Sequence, residues 1–366
     1  MSRYVEYDDG TGGPIQIPVD DILRGLTPDQ IEVDHEGINY VEGTGPQADA
    51  PTNAAPIKFR VEPAGEPQTQ GTKYDVIDED GGRRFYVGYV QHYGSRIGIA
   101  RASDELIYDR FAEEARVGAW AHFIWPSVMG ESNGRYLSIN AWDRAHFTWG
   151  FYQLAAHTPN DNLILLMRKL LELPSAKRYF PDLILDGGKV ARLTASGAKS
   201  LEREVSVPVG DGHETQIPDF MQYLNPSSRR VDNAEVITVA KFIDWARNDP
   251  GMRANTVIIS LGIMKRKAKH WADRFGLHGK RPELAIWISD MFHQGRGSVA
   301  EVKAALARPT FEKQLEALSR IDTTGKHAAR LRTVRAHVQT LLNEGRFASV
   351  EFGHGALAFD SDVPIG

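Results

Sequence analysis

Cysteine is absent from the 366-residue chain, which excludes disulfide bonds, thiolate metal sites and cysteine nucleophiles together. The absence leaves the compartment open, because a chain of this length can build a stable core without covalent cross-links. No stretch approaches the roughly 18 consecutive apolar residues of a membrane span, so no span is expected. The first segment, MSRYVEYDDGTGG, has neither a basic nor an apolar region, and we expect no secretory signal there.

An excess of positive charge is also missing. The chain has 43 lysines and arginines against 48 aspartates and glutamates, which gives a net charge of -5. Nucleic-acid-binding domains normally carry a basic face, so no nucleic-acid partner is expected. The local run Lys265-Arg266-Lys267 is typical of a solvated helix face.

Signatures of several other enzyme classes are lacking. The HExxH zinc motif does not occur. The acidic run at 78–82 lacks the spacing of a calcium loop, and the Gly-Gly-Lys at 187–189 lacks the first glycine of a phosphate loop. We therefore expect neither a metal nor a cofactor.

The length favours two domains, or one domain with large insertions. Residues 1–84 alternate short apolar runs with turn residues and include a Gly/Pro-rich linker, which indicates a β-rich N-terminal region. Residues 85–345 would form the main domain, with an insertion of strands near 180–220, and 346–366 a C-terminal tail. Within the first region, Ile15-Gln16-Ile17 alternates like a strand.

Helical periodicity dominates the rest. Ser103 is a candidate N-cap, and an apolar residue recurs every fourth position from Ile107 to Phe123, which predicts one largely buried helix that Pro126 kinks or ends. The residue Glu131 would then lie at or just past the helix end. Further helices are predicted at about 162–173, 233–247, 253–275, 281–293, 298–307, 309–321 and 325–344.

The stretch from Gly130 to Thr158 carries the candidate chemistry. Glycoside hydrolysis needs a carboxylic acid that protonates the leaving oxygen and a second group on the opposite face of the sugar. Glu131 follows an apolar run, and both burial and helix carbonyls would raise its pKa. Asp143 lies between polar neighbours and is expected to stay ionised. It would sit near the turn of a hairpin that also carries Thr148, although simple alternation would place these two residues on opposite faces.

The pattern of Glu131, Asp143 and the segment Thr148-Trp149-Gly150-Phe151-Tyr152-Gln153 resembles the lysozyme superfamily, including phage-type lysozymes and chitosanases. In those families a glutamate ends a helix, and a hairpin carries an aspartate followed five or six residues later by Thr-x-Gly. The resemblance covers about residues 103–158. The twelve-residue spacing of the two carboxylates is longer than in phage-type lysozymes and shorter than in chitosanases.

The resemblance implies a role for each matched residue. Glu131 would be the general acid, Asp143 the general base or electrostatic stabiliser, and Thr148 a water-positioning hydroxyl. A polar Gln294 ends an apolar helix that is similar to the helix closing the far side of the cleft in these families. The implied sugar-contacting residues are Gly150, Tyr152, Gln153 and Gln294, together with the aromatic Trp142.

Simpler interpretations stand beside these. Glu131 could be an ordinary exposed residue in a turn, and Asp143 could pair with Arg144 or Arg135. Gln294 could merely precede a glycine that ends its helix. Glu113 and Glu114 are the rival acids, and core packing accounts for Trp149 as well as sugar stacking does.

Taken together, the sequence predicts an α+β, mainly α-helical protein: a lysozyme-like catalytic domain with a small β-hairpin and a small β-rich N-terminal region. The predicted activity is hydrolysis of a β-1,4-linked amino-sugar polymer, with peptidoglycan as the first substrate and chitin or chitosan as the alternative. A non-catalytic cell-wall-binding or virion structural protein is the second hypothesis. The sequence leaves the localisation open.

Overall fold

The computed structural model describes residues 55–210, 212–321 and 328–359, and the backbone of four strands within residues 1–54. The chain divides into two compact units, Met1–Ala54 and Ala55–Gly366. In the first unit, strands β1 (Tyr4–Tyr7) and β2 (Ile15–Pro18) form an antiparallel hairpin, as do β3 (Ile31–Asp34) and β4 (Gly37–Tyr40). The strand predicted at Ile15–Ile17 is therefore confirmed.

The second unit contains a seven-stranded antiparallel sheet whose strands follow one another in chain order. Its members are β5 (Phe59–Ala64), β6 (Lys73–Asp78), β7 (Arg84–Tyr93), β8 (Arg96–Arg101), β9 (Ile139–Asn140), β10 (Thr148–Trp149) and β11 (Leu154–Ala155). Two helices separate β8 from β9, yet Ala100 pairs with Asn140 and Arg101 with Ile139.

This sheet corrects the predicted fold class. The chain is 44% helix and 21% strand, a mixed α/β fold, so the prediction of a mainly helical protein with a small hairpin and a small β-rich N-terminal region is wrong. The predicted hairpin arms do pair as β9 and β10, but they extend the large sheet. Local patterns hide such a sheet because the β8–β9 pairing joins segments that are distant along the chain.

The helical part packs around a long central helix. The helices are α1 (Arg110–Val117), α2 (Trp120–Ser132), α3 (Leu163–Leu170), α4 (Ala176–Tyr179), α5 (Pro218–Leu224), α6 (Asn233–Asn248), α7 (Pro250–Phe275), α8 (Pro282–His293), α9 (Val299–Leu306), α10 (Phe311–Ser319) and α11 (Ala328–Asn343). The helices predicted from residue 162 onward are confirmed. Helix α6 packs on β5–β8, while α7 lies against α2, α3, α6 and α8.

The predicted helix over 103–125 is wrong in its boundaries. Asp109, not Ser103, caps the first helix, and its side chain accepts hydrogen bonds from two backbone N–H groups. Gly118, with φ of 60°, breaks the helix in two. Phe111 is 53% exposed, so the assumed apolar face is not all buried. Pro126 lies inside α2 and does not end it.

The insertion near 180–220 folds as strands of its own. A three-stranded sheet contains β12 (Leu183–Asp186), β13 (Lys189–Thr194) and β14 (Gly197–Ser200). A separate hairpin contains β15 (Val205–Val209) and β16 (Gly212–Gln216). Residues predicted as a C-terminal tail also enter the core, where the ring of Phe352 stacks on Phe123 of α2.

A membrane-spanning helix would need both length and an apolar surface. Among the residues that the structure describes, no helix has both.

The buried polar side chain of Lys265 on α7 lies 5.0 Å from the Trp120 ring centroid. The basic run on α7 is therefore not a fully solvated face, because its first member is only 3% exposed.

Replacing two glycines by alanine should change the free energy of unfolding in opposite directions. A Cβ at Gly98 on β8 would lie 2.4–2.8 Å from backbone atoms of Ala141 and Trp142. We expect Gly98→Ala to lower the free energy of unfolding by about 2 kcal/mol, because strands β8 and β9 must separate. Gly262, inside α7, has no atom within 4 Å of its added Cβ, and Gly262→Ala should raise stability by about 0.5–1 kcal/mol.

Urea unfolding of both variants checks this prediction. Equal effects of the two substitutions would contradict the close approach of Gly98 to the neighbouring backbone.

Candidate active site

Glu131 lies in the last turn of α2, a helix whose surface is apolar almost all round and therefore buried. Asn133 ends the helix in the left-handed conformation, and its N–H bonds back to the carbonyls of Val128 and Met129. The Glu131 side chain is 17% exposed. It is therefore neither an exposed turn residue nor a fully sealed one.

Three side chains contact the same oxygen of Glu131. Gln294 donates a hydrogen bond of 2.8 Å to Oε2, and the Arg330 guanidinium also donates to Oε2. The Nε2 of His293 lies 3.9 Å from this oxygen. The structure thus brings the predicted Gln294 to Glu131, and it adds Arg330 and His293, which the sequence analysis did not identify.

Arg330 links Glu131 to a second buried carboxylate. Its other terminal nitrogen lies 2.5 Å from Oδ1 of Asp290, and Arg296 binds Oδ2 of Asp290 at 2.6 Å. Asp290 is fully buried, and Arg296 is 3% exposed. Two carboxylates and two guanidinium groups therefore form one buried chain of ion pairs, Glu131–Arg330–Asp290–Arg296, which we call the charge chain.

Glycines give the charge chain its geometry. A Cβ at Gly130 would lie 2.8 Å from Val334 and 3.2 Å from Arg330 Cγ, so this glycine lets α11 approach α2 closely. Gly295 and Gly297, with φ of 63° and 66°, turn the chain after α8 so that Arg296 folds back onto Asp290. The Gln294 amide binds Glu131, and the contact of Gln294 with a sugar stays a prediction.

Burial controls the protonation of Glu131. Removal of the carboxyl from water raises its pKa above the ordinary value, and nearby Asp290 works in the same direction. The Arg330 and Lys267 cations oppose this shift without cancelling it. The predicted direction of the shift agrees with the structure, and its main cause is burial.

His293 occupies the space between Glu131 and Tyr152. Its ring stacks on the Tyr152 ring, with centroids 4.8 Å apart and planes inclined by 17°. Burial lowers the pKa of His293 to about 3, and the Lys267 and Arg330 cations add to this effect. The imidazole is therefore neutral at neutral pH. Tyr152 is only 1% exposed, so it supports His293 from within the core.

Asp143 lies in an irregular segment between β9 and β10. Its Oδ1 accepts a 2.8 Å hydrogen bond from the N–H of Ala145, and its Oδ2 accepts one of 3.3 Å from the Thr148 hydroxyl. Strict alternation along a strand would separate Asp143 from Thr148. They meet because Asp143 is outside the strands and the segment turns back on itself.

Asn225 fixes this segment at both ends. Its buried amide donates 3.0 Å hydrogen bonds to the carbonyls of Ala141 and His146. His146 itself has a left-handed backbone, with φ of 60°. Such backbone conformations in non-glycine residues persist where surrounding contacts hold them, and they are concentrated at functional sites. Asn225 thus positions the Asp143 loop, and the sequence analysis did not predict it.

Burial and hydrogen bonding act on the pKa of Asp143 in opposite directions. Burial raises its pKa, while the Ala145 N–H, the Thr148 hydroxyl and the nearby imidazoles of His157 and His146 favour the ionised form. Its polar neighbour Arg144 pairs instead with Glu214 of β16, at 3.0 Å. The predicted pairing of Asp143 with Arg144 is therefore not observed, and the prediction that polar neighbours alone keep Asp143 ionised missed its burial.

The β15–β16 hairpin reaches the Asp143 side of the site through Glu214. This carboxylate lies 3.3 Å from Nε2 of His157, which is 12% exposed in its side chain. Burial lowers the pKa of His157, and the Glu214 carboxylate opposes that shift. The insertion therefore packs against the candidate site through ionic contacts.

Gln153 and Gly150 lie in the turn that joins β10 to β11. The Gln153 amide donates to the Gly150 carbonyl at 2.8 Å and to the Ser138 hydroxyl at 3.1 Å. Gly150 has φ of 80° and Gln153 has φ of 53°. These contacts shape the turn between β10 and β11, and a side chain at position 150 would be strained.

The predicted site residues thus belong to two separate groups of contacts. Glu131, Gln294 and Tyr152 belong to the group around Arg330 and His293. Asp143 and Thr148 belong to the group around Asn225, with Trp142 at its edge. Asp290 is an acidic residue within an apolar helix. In the sequence, this position was the signal that could have predicted a buried cationic partner.

Metal binding requires several ligands in one place. Among the residues that the structure describes, no group of three or more His, Cys, Asp or Glu side chains could hold a metal ion.

Comparisons of the chain with protein-family models, with curated proteins and with solved structures find no match. The resemblance to the lysozyme superfamily therefore rests on the sequence pattern alone and stays a prediction.

A pH-dependent contribution to stability follows from His293. Its pKa is about 3 in the folded chain against an ordinary value of 6.5. Between these two pH values, the unfolded chain therefore binds a proton on His293 that the folded chain does not bind. The His293 contribution is complete above pH 6.5 and declines as the pH falls towards 3. Between pH 7 and 5.5, we expect His293 to account for a loss of about 1 kcal/mol in the free energy of unfolding.

Urea unfolding of His293→Phe at both pH values measures this contribution. The phenyl ring can keep the stack on Tyr152, and the variant should lose less stability on acidification than the wild type. His270→Phe, a substitution of an exposed histidine on α7, is the matched control and should keep the wild-type dependence. An unchanged pH dependence in His293→Phe would contradict the assignment.

Proposed function

We propose that the protein hydrolyses a β-1,4-linked amino-sugar polymer, with Glu131 as the general acid. The observation that carries the proposal is a partly accessible carboxyl whose pKa is raised by burial and whose position is fixed by Gln294 and Arg330. Proton donation to a glycosidic oxygen at neutral pH needs such a group. Because these contacts are made to Oε2, a proton on Oε1 would be the transferable one.

Glu235 is another buried carboxylate, and its comparison with Glu131 shows that a general acid must also be accessible. Burial raises the pKa of Glu235 well above its ordinary value, and this carboxyl accepts a 2.6 Å hydrogen bond from the Ile99 N–H. Glu235 is fully buried under the sheet, where no polymer can reach it. Glu131 combines a raised pKa with an accessible edge, which favours it as the acid.

Asp143 is the proposed second carboxylate. Its two hydrogen bonds, from Ala145 and Thr148, hold the carboxyl in a fixed orientation and favour its ionised form. A carboxylate in this position would activate a water molecule or stabilise positive charge on the sugar. The Thr148 hydroxyl, held against Asp143, would orient that water.

The charges beside Glu131 favour an anionic polymer. Arg266 and Lys267 on α7 share one carboxylate, Asp161, so these three side chains together keep a net positive charge. Lys267 is close enough to affect the pKa of Glu131. Peptidoglycan carries carboxylates and chitosan carries ammonium groups, so electrostatic complementarity favours peptidoglycan over chitosan.

A second candidate function is polymer binding without turnover, as in a cell-wall-binding or virion structural protein. The buried ion pairs of Asp290 favour it, because a charge chain that joins α2, α8 and α11 would serve the fold even without catalysis.

Glu131→Gln separates the two candidates. We expect this isosteric change to lower sugar release from purified peptidoglycan at least 100-fold, because the carboxyl proton is removed while the shape is kept. The matched control is Glu113→Gln on α1, which removes a rival acid and should keep the activity. Full activity of Glu131→Gln would contradict the assignment, and a wild type inactive on peptidoglycan, chitin and chitosan would favour the binding role.

Arg330→Gln tests the electrostatic part of the proposal. Loss of the cation removes an opposing effect on Glu131, so the pKa of this carboxyl should rise further. A general acid acts only while protonated, and the decline of activity at alkaline pH should therefore move to higher pH. The free energy of unfolding should fall by about 3 kcal/mol, because Asp290 loses one of its two partners.

The pH profile of sugar release and urea unfolding provide the two measurements. Arg332→Gln, an exposed arginine on the same helix, is the matched control. An alkaline limb that stays in place or moves to lower pH would refute the role of Arg330.

A further inference from the structure

The tip of the β7–β8 hairpin carries an exposed aromatic side chain. Tyr93 is 63% exposed, more than any other large hydrophobic residue in the described ranges. It is the last residue of β7 and pairs with Arg96 across the hairpin turn. An exposed ring of this size on a rigid hairpin is suited to a ligand with an apolar face.

A second ring lies beside it. The centroids of Tyr93 and Trp142 are 5.2 Å apart, with ring planes inclined by 47°. Trp142 is half-buried and directly precedes Asp143. The two rings therefore adjoin the loop that carries the proposed second carboxylate.

Backbone contacts hold both rings in place. The N–H of Ala141 donates to the Ile99 carbonyl at 2.9 Å, and Gly98 allows the Trp142 backbone to lie directly against β8. On the hairpin, the N–H of Ile97 donates to the Ser228 carbonyl at 2.9 Å. Because the backbone is fixed before a ligand arrives, binding would order little besides two side chains that have few rotatable bonds.

We propose that Tyr93 and Trp142 form a sugar-stacking subsite that binds a glycan strand on the Asp143 side of the active site. Pyranose rings have apolar faces that pack on aromatic rings, and the phenol of Tyr93 adds a hydrogen-bonding group at the edge. The large sheet would thereby contribute directly to substrate binding through Tyr93 at the end of β7. The identity of the glycan rests on the proposed function, whereas the stacking itself does not require turnover.

Co-sedimentation with insoluble peptidoglycan tests the subsite in the full-length Glu131→Gln protein, so that binding is measured without hydrolysis. Adding Tyr93→Ala should weaken binding about threefold to tenfold. Adding Tyr93→Trp keeps an aromatic face and should restore most of the affinity. Leu193→Ala removes another exposed apolar side chain, 47% exposed and on β13, and should bind like the parent.

The outcomes distinguish this inference from the proposed activity. Weaker binding by Tyr93→Ala, with recovery in Tyr93→Trp, supports the subsite even if the wild type releases no sugar. Unchanged binding in Tyr93→Ala, or equal weakening in Tyr93→Trp, overturns it even if Glu131 proves catalytic. A parent that binds none of peptidoglycan, chitin and chitosan also overturns it. Thermal unfolding of each variant shows whether the fold is kept.

Discussion

The double ion pair of Arg330 is the interaction on which the rest of the candidate site depends. One guanidinium joins Glu131 at the end of α2 to Asp290 on α8, and Arg330 itself comes from α11. Arg296 gives Asp290 a second guanidinium partner. Ion pairs of this kind contribute less to stability than their geometry suggests, because desolvation offsets the attraction, but loss of one partner is costly. The arrangement therefore specifies how three helices meet.

The same arrangement prepares a carboxyl for proton transfer. A fully paired carboxylate in water would have a low pKa, whereas Glu131 shares Arg330 with Asp290 and is largely buried. The second carboxylate depends on different parts of the chain. Asn225 and the large sheet fix the Asp143 loop, and the β15–β16 hairpin supports it through Glu214. The candidate site thus consists of two separately built groups, whose residues come from the sheet, the helices and the insertion.

The sequence revealed the parts of the structure that have local causes. The helices from residue 233 onward follow apolar periodicity, and Glu131 follows from a carboxylate placed after an apolar helix. The seven-stranded sheet was missed because the pairing of β8 with β9 crosses two intervening helices. The partners Arg330 and Asn225 were missed for a related reason. A single arginine on an amphipathic helix has no local pattern that distinguishes a buried ion pair from a solvated charge.

The protonation of Glu131 in the wild-type protein is the most direct test of this account. Titration of the side-chain carboxyl by ¹³C nuclear magnetic resonance, assigned with Glu131→Gln, measures the pKa without substrate. We expect a value above the ordinary 4.5, because burial outweighs the attraction of Arg330. A value at or below 4.5 would mean that the ion pair dominates, and it would contradict Glu131 as a general acid at neutral pH.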